Sequence, residues 1–192
     1  MQGLELYRKA YHITHARNLR SIASHGLLSH SRVRSHDINI EDISNPEVQA
    51  RRAGMADPFH GRCVHDYVPF YLNPRNPMMY CKRYHSQDFA LLVLDIEQAS
   101  DLEPLFTDGN AASGGTLFGK TIATSYRADE VLRADRWNWL PDGKRQRCAE
   151  VLLPATIPVE MIEMVVSKNQ HVQAYADEVL GLPTVVNPGL FF

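Results

Sequence analysis

Apolar residues fall in short runs between long polar stretches. The longest run, Phe89 to Leu94, is six residues and resumes at Ile96. A continuous apolar run of that length, bounded by polar residues, predicts a buried strand over 89–96. Aromatic and β-branched runs at Tyr11–Thr14, Val68–Leu72, Glu150–Leu153, Met164–Val166 and Thr184–Val186 predict five more. Pro69 lies inside the second of these and implies an edge, a bulge or a strand start. Helical spacing is found over 16–25, where Leu19, Ile22 and Ala23 share a face and Gly26 stands at the C-cap. Asn45-Pro46-Glu47 has a capping Asn, a first-turn Pro and an early acid. It predicts a helix carrying Val48, Arg51 and Arg52 that ends near Gly54. Further helices are predicted over 126–136 and over 169–180, the latter with Val172, Tyr175, Ala176 and Val179 inward and Gly181 at its end. Residues 117–125 show no assignable pattern. Stretches 29–44, 54–64, 73–88 and 107–116 look like loops inserted in one domain, 1–192. Strands at both ends and between helices, without a regular βαβ rhythm, predict a mixed α/β (α+β) fold.

Composition narrows the class. A chain of 192 residues, 44% hydrophobic and 22% charged, has enough material for its own core. Disorder and coiled coil are excluded. A membrane helix needs about 20 apolar residues in a row, so no membrane association is expected. The N-terminal MQGLELYRKA lacks the apolar core of a secretory signal. Cys63, Cys81 and Cys148 are odd in number and form no CxxC, which suits a reduced, cytoplasmic setting. The net charge of −2 gives no overall sign of nucleic-acid binding. Its distribution says more: residues 1–36 hold six Lys/Arg and one acid, and residues 148–192 hold one Lys and five acids. Two solvated faces would give the same pattern as one basic binding face.

Most of the chemistry-bearing residues have an ordinary explanation. His12 and His15, at i and i+3 in a strand, point to opposite faces and make poor metal geometry. Cys63 and His65, at i and i+2, share a face but lack a second pair, so no metal is expected. Cys148 has no base beside it in sequence and reads as a buried structural thiol. There is no GxGxxG and no GxxxxGK[ST], and DGNAASGGT around Gly109, Gly114 and Gly115 reads as a flexible loop. Glu150 follows a basic stretch, Lys144-Arg145-Gln146-Arg147, and opens the apolar run Val151-Leu152-Leu153. A carboxylate there is either an ordinary strand start or a group aimed into a cleft. Residues His65 to Tyr80 are unusual, with four Tyr/Phe, three Pro and two Met in 16 positions. Such a segment is either an aromatic edge strand or a stiff platform for flat ligands.

These pieces together resemble the DarT family, DNA ADP-ribosyltransferase toxins of bacterial toxin–antitoxin systems. The resemblance rests on YHITH with Asn18-Leu19, NPE leading to RRAG at 51–54, and HDYVPFY at 65–71. It continues through Pro74 to Tyr80, TDGNAAS at 107–113 and AEVL at 149–152. The pieces occur in the family's order and span nearly the whole chain. The resemblance implies an ADP-ribosyltransferase fold: a split, twisted β core with helices around an NAD⁺ cleft. It also implies that NAD⁺ is the co-substrate, without a metal.

By the same resemblance, His12, Thr14 and Asn18 contact NAD⁺, and Tyr71 and Met78 line its nicotinamide side. Glu150 is the catalytic glutamate. The essential arginine is Arg52, because RRAG aligns best on its second Arg, with Arg51 the alternative if the 54–64 loop is gapped differently. Losing nicotinamide leaves an oxocarbenium-like ribose. A carboxylate can stabilise that charge and take a proton from the attacking base. An arginine can grip the diphosphate. The stretch before Glu150, with Trp137, Trp139, Lys144, Arg145 and Arg147, would present the DNA, helped by Arg75 and Asn110. Tryptophan stacks on bases and cations track phosphates, although core packing would explain Trp137 as well, and Trp139 less well. Thymine-modifying members carry a longer Asp-Asp-Pro-type insert here, so the short NWLPDGKRQR leans the expectation toward guanine. The implied partners are single-stranded DNA and a separate DarG-type macrodomain antitoxin, with the chain a monomer. Rival readings are transfer to RNA or protein, a non-catalytic nucleic-acid-binding module, and an NAD⁺-using RNA 2′-phosphotransferase.

Overall fold

The computed structural model describes residues 5–154 and 156–192; the first four residues of the N-terminal stretch lie outside them. Among the described residues there are ten strands: β1 Lys9–His15, β2 Leu27–Leu28, β3 Tyr67–Tyr71, β4 Phe89–Asp95, β5 Leu105–Thr107, β6 Phe118–Gly119, β7 Glu150–Pro154, β8 Thr156–Ile157, β9 Ile162–Ser167 and β10 Thr184–Val186. Seven α-helices join them: α1 Leu19–His25, α2 His30–Ser35, α3 Pro46–Ala53, α4 Pro77–Cys81, α5 Asp129–Arg133, α6 Gly143–Gln146 and α7 Gln170–Leu180.

Eight strands form one sheet in the order β10-β9-β4-β1-β3-β7-β5-β6, and β2 pairs with β8. β4 is buried at every position, as its apolar run requires, because it sits between β1 and β9 with both faces covered. The sheet is nearly torn at one place. β1 meets β4 over seven residue pairs but meets β3 only at Tyr11 opposite Tyr71. One half-sheet is β10-β9-β4-β1 and the other is β3-β7-β5-β6.

Pro69 explains part of the tear. The structure places it in the interior of the sheet, not at an edge as its presence in a strand suggests. It pairs with Leu152 of β7. A strand residue sends its N–H and C=O to the same side, so Pro69 has no donor to offer β1. Its carbonyl instead meets His12 Nδ1 at 2.8 Å. The sheet therefore tolerates an interior proline because a side chain fills the split.

The core lies on both faces of this sheet. Phe70, Leu72, Leu92, Leu94, Val151 and Leu153 pack with Leu19 and Ile22 of α1 and with Val172 and Ala176 of α7. Ala23, expected inward, is exposed. Leu91, Val93, Phe89 and Met79 form a second cluster on the other face. α1 ends at Gly26, whose φ of +75° and close approach to the Ile157 carbonyl exclude a side chain. α3 starts as its sequence predicts, with Asn45 Oδ1 accepting from Glu47 and Val48 N–H.

Three expected loops hold short helices: α2 within 29–44, α4 within 73–88, and a 3₁₀ turn over Val64–Asp66 at the end of 54–64. The predicted 126–136 helix is shorter. A 3₁₀ segment, Ile122–Ala128, leads into α5, and Ala134 turns extended.

Candidate active site

The split in the sheet opens into a cleft of about 1090 Å³. That is at the top of the roughly 300–1,000 Å³ range of small-molecule pockets. β1 supplies His12 and Thr14, and α1 with the turn before it supplies Asn18 and Ile22. α3 supplies Arg51 and Arg52, β3 supplies Tyr71, and α4 supplies Met78. The 137–145 stretch closes the far side with Trp137, Lys144 and Arg145.

Glu150 opens β7 directly beside the split, opposite Tyr71 in the β3–β7 register. Its side chain is fully buried. Arg52 Nη1 donates to both carboxylate oxygens, at 3.1 and 3.0 Å, and Ala111 N–H donates to Oε1 at 3.1 Å. The Glu150 backbone is held by Thr107, whose Oγ1 accepts from Glu150 N–H at 2.9 Å. The TDGNAAS segment therefore positions the carboxylate from both its backbone and its side chain. Arg51, one residue earlier, is exposed and points away from Glu150, so helix phase makes Arg52 the partner.

Arg52 stands between Glu150 and the cleft. Its Nη2 is buried and has no hydrogen-bond partner. A buried guanidinium nitrogen left unpaired is costly unless something else meets it. This is the observation that fits the cleft to an anionic ligand such as the diphosphate of NAD⁺.

Burial, reinforced by the Glu150 charge, pushes the Tyr71 phenol far above its usual range, so it stays neutral. Burial also holds His12 below the ordinary imidazole value. Its Nδ1 faces a carbonyl and must carry the proton. Nε2 of the neutral ring is then an acceptor. Asn18 has another use. Its Nδ2 donates to Thr14 Oγ1 and to the Glu41 carbonyl, and its Oδ1 accepts from Glu41 N–H. Asn18 thus straps the 36–45 segment across the cleft. Cys148 lines the cleft, but burial and then the Glu150 charge push its thiol up to about 12, which leaves it un-ionised. Cys63 donates to backbone carbonyls of Arg52 and Ala53. Among the described residues no group of three or more His, Cys, Asp or Glu is arranged to hold a metal.

Two site residues escape sequence reasoning. His30 and His65 stack with ring centroids 4.3 Å apart, and both line the cleft. His65 Nε2 lies 2.8 Å from Gln49 Oε1, while His30 Nε2 is buried without a partner. Burial first, then His30, Arg52 and Arg34, lower His65 to about 4. His65 opens the HDYVPFY motif, but nothing in the sequence pairs it with His30, which lies in a stretch that reads as loop.

Two residues expected on the DNA side have internal partners in the structure. Arg147 is buried, and its guanidinium donates to the carbonyls of Arg75, Val131, Leu132 and Ala134. It is a staple and has no free cation for a phosphate. Arg145 is committed to Asp108 and Asp142, at 2.7 and 2.6 Å. Trp139 is 74% exposed, Trp137 is half-buried at the cleft lip, and Lys144 is exposed. Asn110 lines the cleft while its Oδ1 caps Ala112 N–H. Arg75 donates to the Gly189 carbonyl and covers the Phe192 ring.

The family model described as "ssDNA thymidine ADP-ribosyltransferase, DarT" matches residues 11–192. A DNA ADP-ribosyl transferase of a Thermus species (strain 2.9) is 31% identical over 84% of this chain and 82% of its own length. A Thermosipho africanus transferase–glycohydrolase fusion protein is 26% identical over 97% of this chain, which spans only half of the fusion. Solved structures of Thermus sp. 2.9 DarT share the fold. The complex with ADP-ribosylated ssDNA superposes with a TM-score of 0.88 at 24% identity, covering 96% of each chain. The complex with NAD⁺ gives 0.80, covering 96% of this chain and 98% of that one. Family model, relatives and fold agree, and the chain belongs to the DarT family of DNA ADP-ribosyltransferases.

Proposed function

We propose that this chain is a mono-ADP-ribosyltransferase that moves ADP-ribose from NAD⁺ to a base of single-stranded DNA and releases nicotinamide. The buried Arg52–Glu150 pair at the split of the sheet, with one Arg52 nitrogen unpaired, is the observation that carries the reading. Bound NAD⁺ supplies the ADP-ribosyl group and a nicotinamide leaving group.

The chain's own residues do the rest. Arg52 uses its free Nη2 to hold an anion in the cleft. Tyr71 and Met78 give the nicotinamide side an apolar, flat wall that excludes water. His12 and Thr14 offer acceptor and hydroxyl groups to the other end, and Asn18 acts through the strap it holds. Glu150 is the electrostatic stabiliser and general base: Arg52 covers it from the cleft, and a shift of that guanidinium lets its carboxylate accept the proton of the attacking base nitrogen. A base must leave its stack to reach this position, so single strands are the cheaper substrate.

The acceptor base is read as guanine over thymine, on the single ground that the stretch ahead of Glu150 is short. The family model's description names thymidine, so the two bases form the two arms of the test. We read the chain as a single transferase domain, 1–192, monomeric and cytoplasmic, without a metal requirement. Its role is that of a toxin in phage defence. The Thermosipho fusion joins a transferase to a DNA ADP-ribosyl glycohydrolase. This supports a separate, DarG-type partner that removes the mark.

The test is incubation with NAD⁺ and single-stranded oligonucleotides containing either one guanine or one thymine, read by mass spectrometry. An ADP-ribose adduct on one base, lost in Glu150→Gln, is the expected result. Transfer to RNA or protein alone would replace the substrate. Intact NAD⁺ with every acceptor would leave a binding module.

A further inference from the structure

Arg145 and Arg147 are held by partners within the chain, and another set of groups lies nearby. Trp137, at the cleft lip, meets Tyr80 edge-on at 6.2 Å. The guanidinium of Arg83 covers the Tyr80 ring at 4.4 Å and the Tyr84 ring at 4.3 Å. Trp137, Tyr80, Arg83 and Tyr84 thus form a continuous ladder leading out of the cleft. Phe192 braces its base, 5.3 Å from Tyr80 and 5.7 Å from Trp137.

Two properties separate this ladder from core packing. It faces solvent, with Tyr80 46% and Tyr84 79% exposed, although apolar rings of this size are usually covered. It is also pre-organised. Arg83 Nη1 donates to the Tyr80 carbonyl and Nη2 to the Tyr84 hydroxyl, both at 3.0 Å. A guanidinium fixed between two aromatic faces keeps those faces set for a further flat group. Along the chain the charge next to the ladder is positive as far as the exposed Asp88. From Pro74 to Gln87 the chain carries Arg75, Lys82 and Arg83 and no acid. Lys82 lines the cleft itself, beside Met78.

Alternating flat faces and cations are what an unstacked polynucleotide requires: bases stack on the rings and phosphates meet the cations. We infer that the Tyr80–Arg83–Tyr84 ladder is a subsite for nucleotides beyond the two neighbours on either side of the modified base, fixing the direction in which single-stranded DNA leaves the cleft. This rests on the proposed DNA acceptor and adds residues that lie outside the 136–147 stretch. The ladder binds and orders the strand and takes no part in the chemistry.

The test uses Arg83→Gln and Tyr84→Ala in the whole chain. Each is assayed with NAD⁺ on a long single-stranded oligonucleotide and on a short one of about five nucleotides around the same base. The loss of one stacking or cation contact is expected to raise KM for the long strand about tenfold. Turnover at saturation and KM for NAD⁺ should not change. On the short strand, which cannot reach the ladder, variants and parent should coincide. Equal KM values on the long strand would overturn the inference. So would an equal loss on the short strand, which would signal general damage. If the parent modifies no DNA at all, the proposed function fails. Anisotropy of a labelled oligonucleotide then decides the ladder by itself: unchanged affinity in both variants overturns it, and weakened affinity supports it.

Discussion

At the residue scale the site depends on one buried ion pair, Arg52–Glu150. Removing one member of such a pair leaves the other charge uncompensated, which costs about 3–5 kcal/mol. Arg52→Ala should therefore lower the melting temperature strongly as well as abolish transfer. Glu150→Gln keeps the shape but leaves the buried Arg52 guanidinium without its counter-charge, so it should abolish transfer and also lower the melting temperature. Thermal denaturation of the two variants side by side, with activity measured well below either midpoint, separates these effects. A melting temperature that barely moves in either variant would mean that the pair is not isolated from solvent. The sequence alone places Glu150 at a strand start and offers two arginines. It does not choose between them, because the choice is made by the rotation of α3 against β7.

A second residue-scale consequence concerns pH. His65 is held at about 4 in the folded chain, chiefly by burial, against about 6.5 when unfolded. Between those values the unfolded chain binds a proton that the folded chain refuses. Stability should then fall as pH drops from about 6.5 to about 4, with a slope of at most about 1.4 kcal/mol per pH unit. His65→Gln should flatten that part of the stability curve. Denaturant titrations at stepped pH check this, and an unchanged slope would move the proton uptake to another group.

At the element scale, Arg147 is expected from sequence to be a phosphate contact and is found to be a clamp. Its carbonyl partners come from α5 and the turns around it, so it ties α5 to the segment after β3. Arg147→Ala should leave buried carbonyls unpaired and cost about 3 kcal/mol or more. Arg147→Lys should not rescue it, because one ammonium cannot reproduce the planar fork. If the midpoint of unfolding barely moves in either variant, the clamp is not a stabilising element. The same region shows why the acceptor stretch keeps its shape. A Cβ on Gly143 would collide with the Trp137 carbonyl, so glycine is required there for the 137–143 turn to fold back on itself.

Legibility followed length and period. The six strands with apolar runs were readable, as were the helix capped by Asn45 and the long α7, because their periodicity or caps are local. β2, β5, β6 and β8 have two or three residues each, too few to show alternation. α2, α4 and α6 are short and polar, and tertiary contacts hold them. The interior position of β3 was hidden because a proline argues for an edge. Only the His12 contact across the split reverses that argument.

At the scale of the whole molecule, the net charge of −2 provides no general attraction for DNA. Affinity must come from a local set of cations. With Arg145 and Arg147 satisfied internally, the cations at the cleft and ladder without a carboxylate partner, among the described residues, include Arg51, Lys82, Arg83 and Lys144. Binding a single strand releases about 0.7 counterion per phosphate contacted. Three or four contacts predict a slope of log K against log salt of about −2 to −3. That is roughly a 20- to 50-fold loss of affinity between about 50 and 200 mM salt. Were Arg145 and Arg147 also on phosphates, six contacts would give a slope near about −4. The slope, measured by anisotropy with an unreactive oligonucleotide, therefore counts the cations the fold leaves free. A value near −4 would mean that the Asp108–Arg145 and Arg147 clamps open when DNA binds. A value between −2 and −3 that falls by about one unit in Arg83→Gln would place that arginine on the strand.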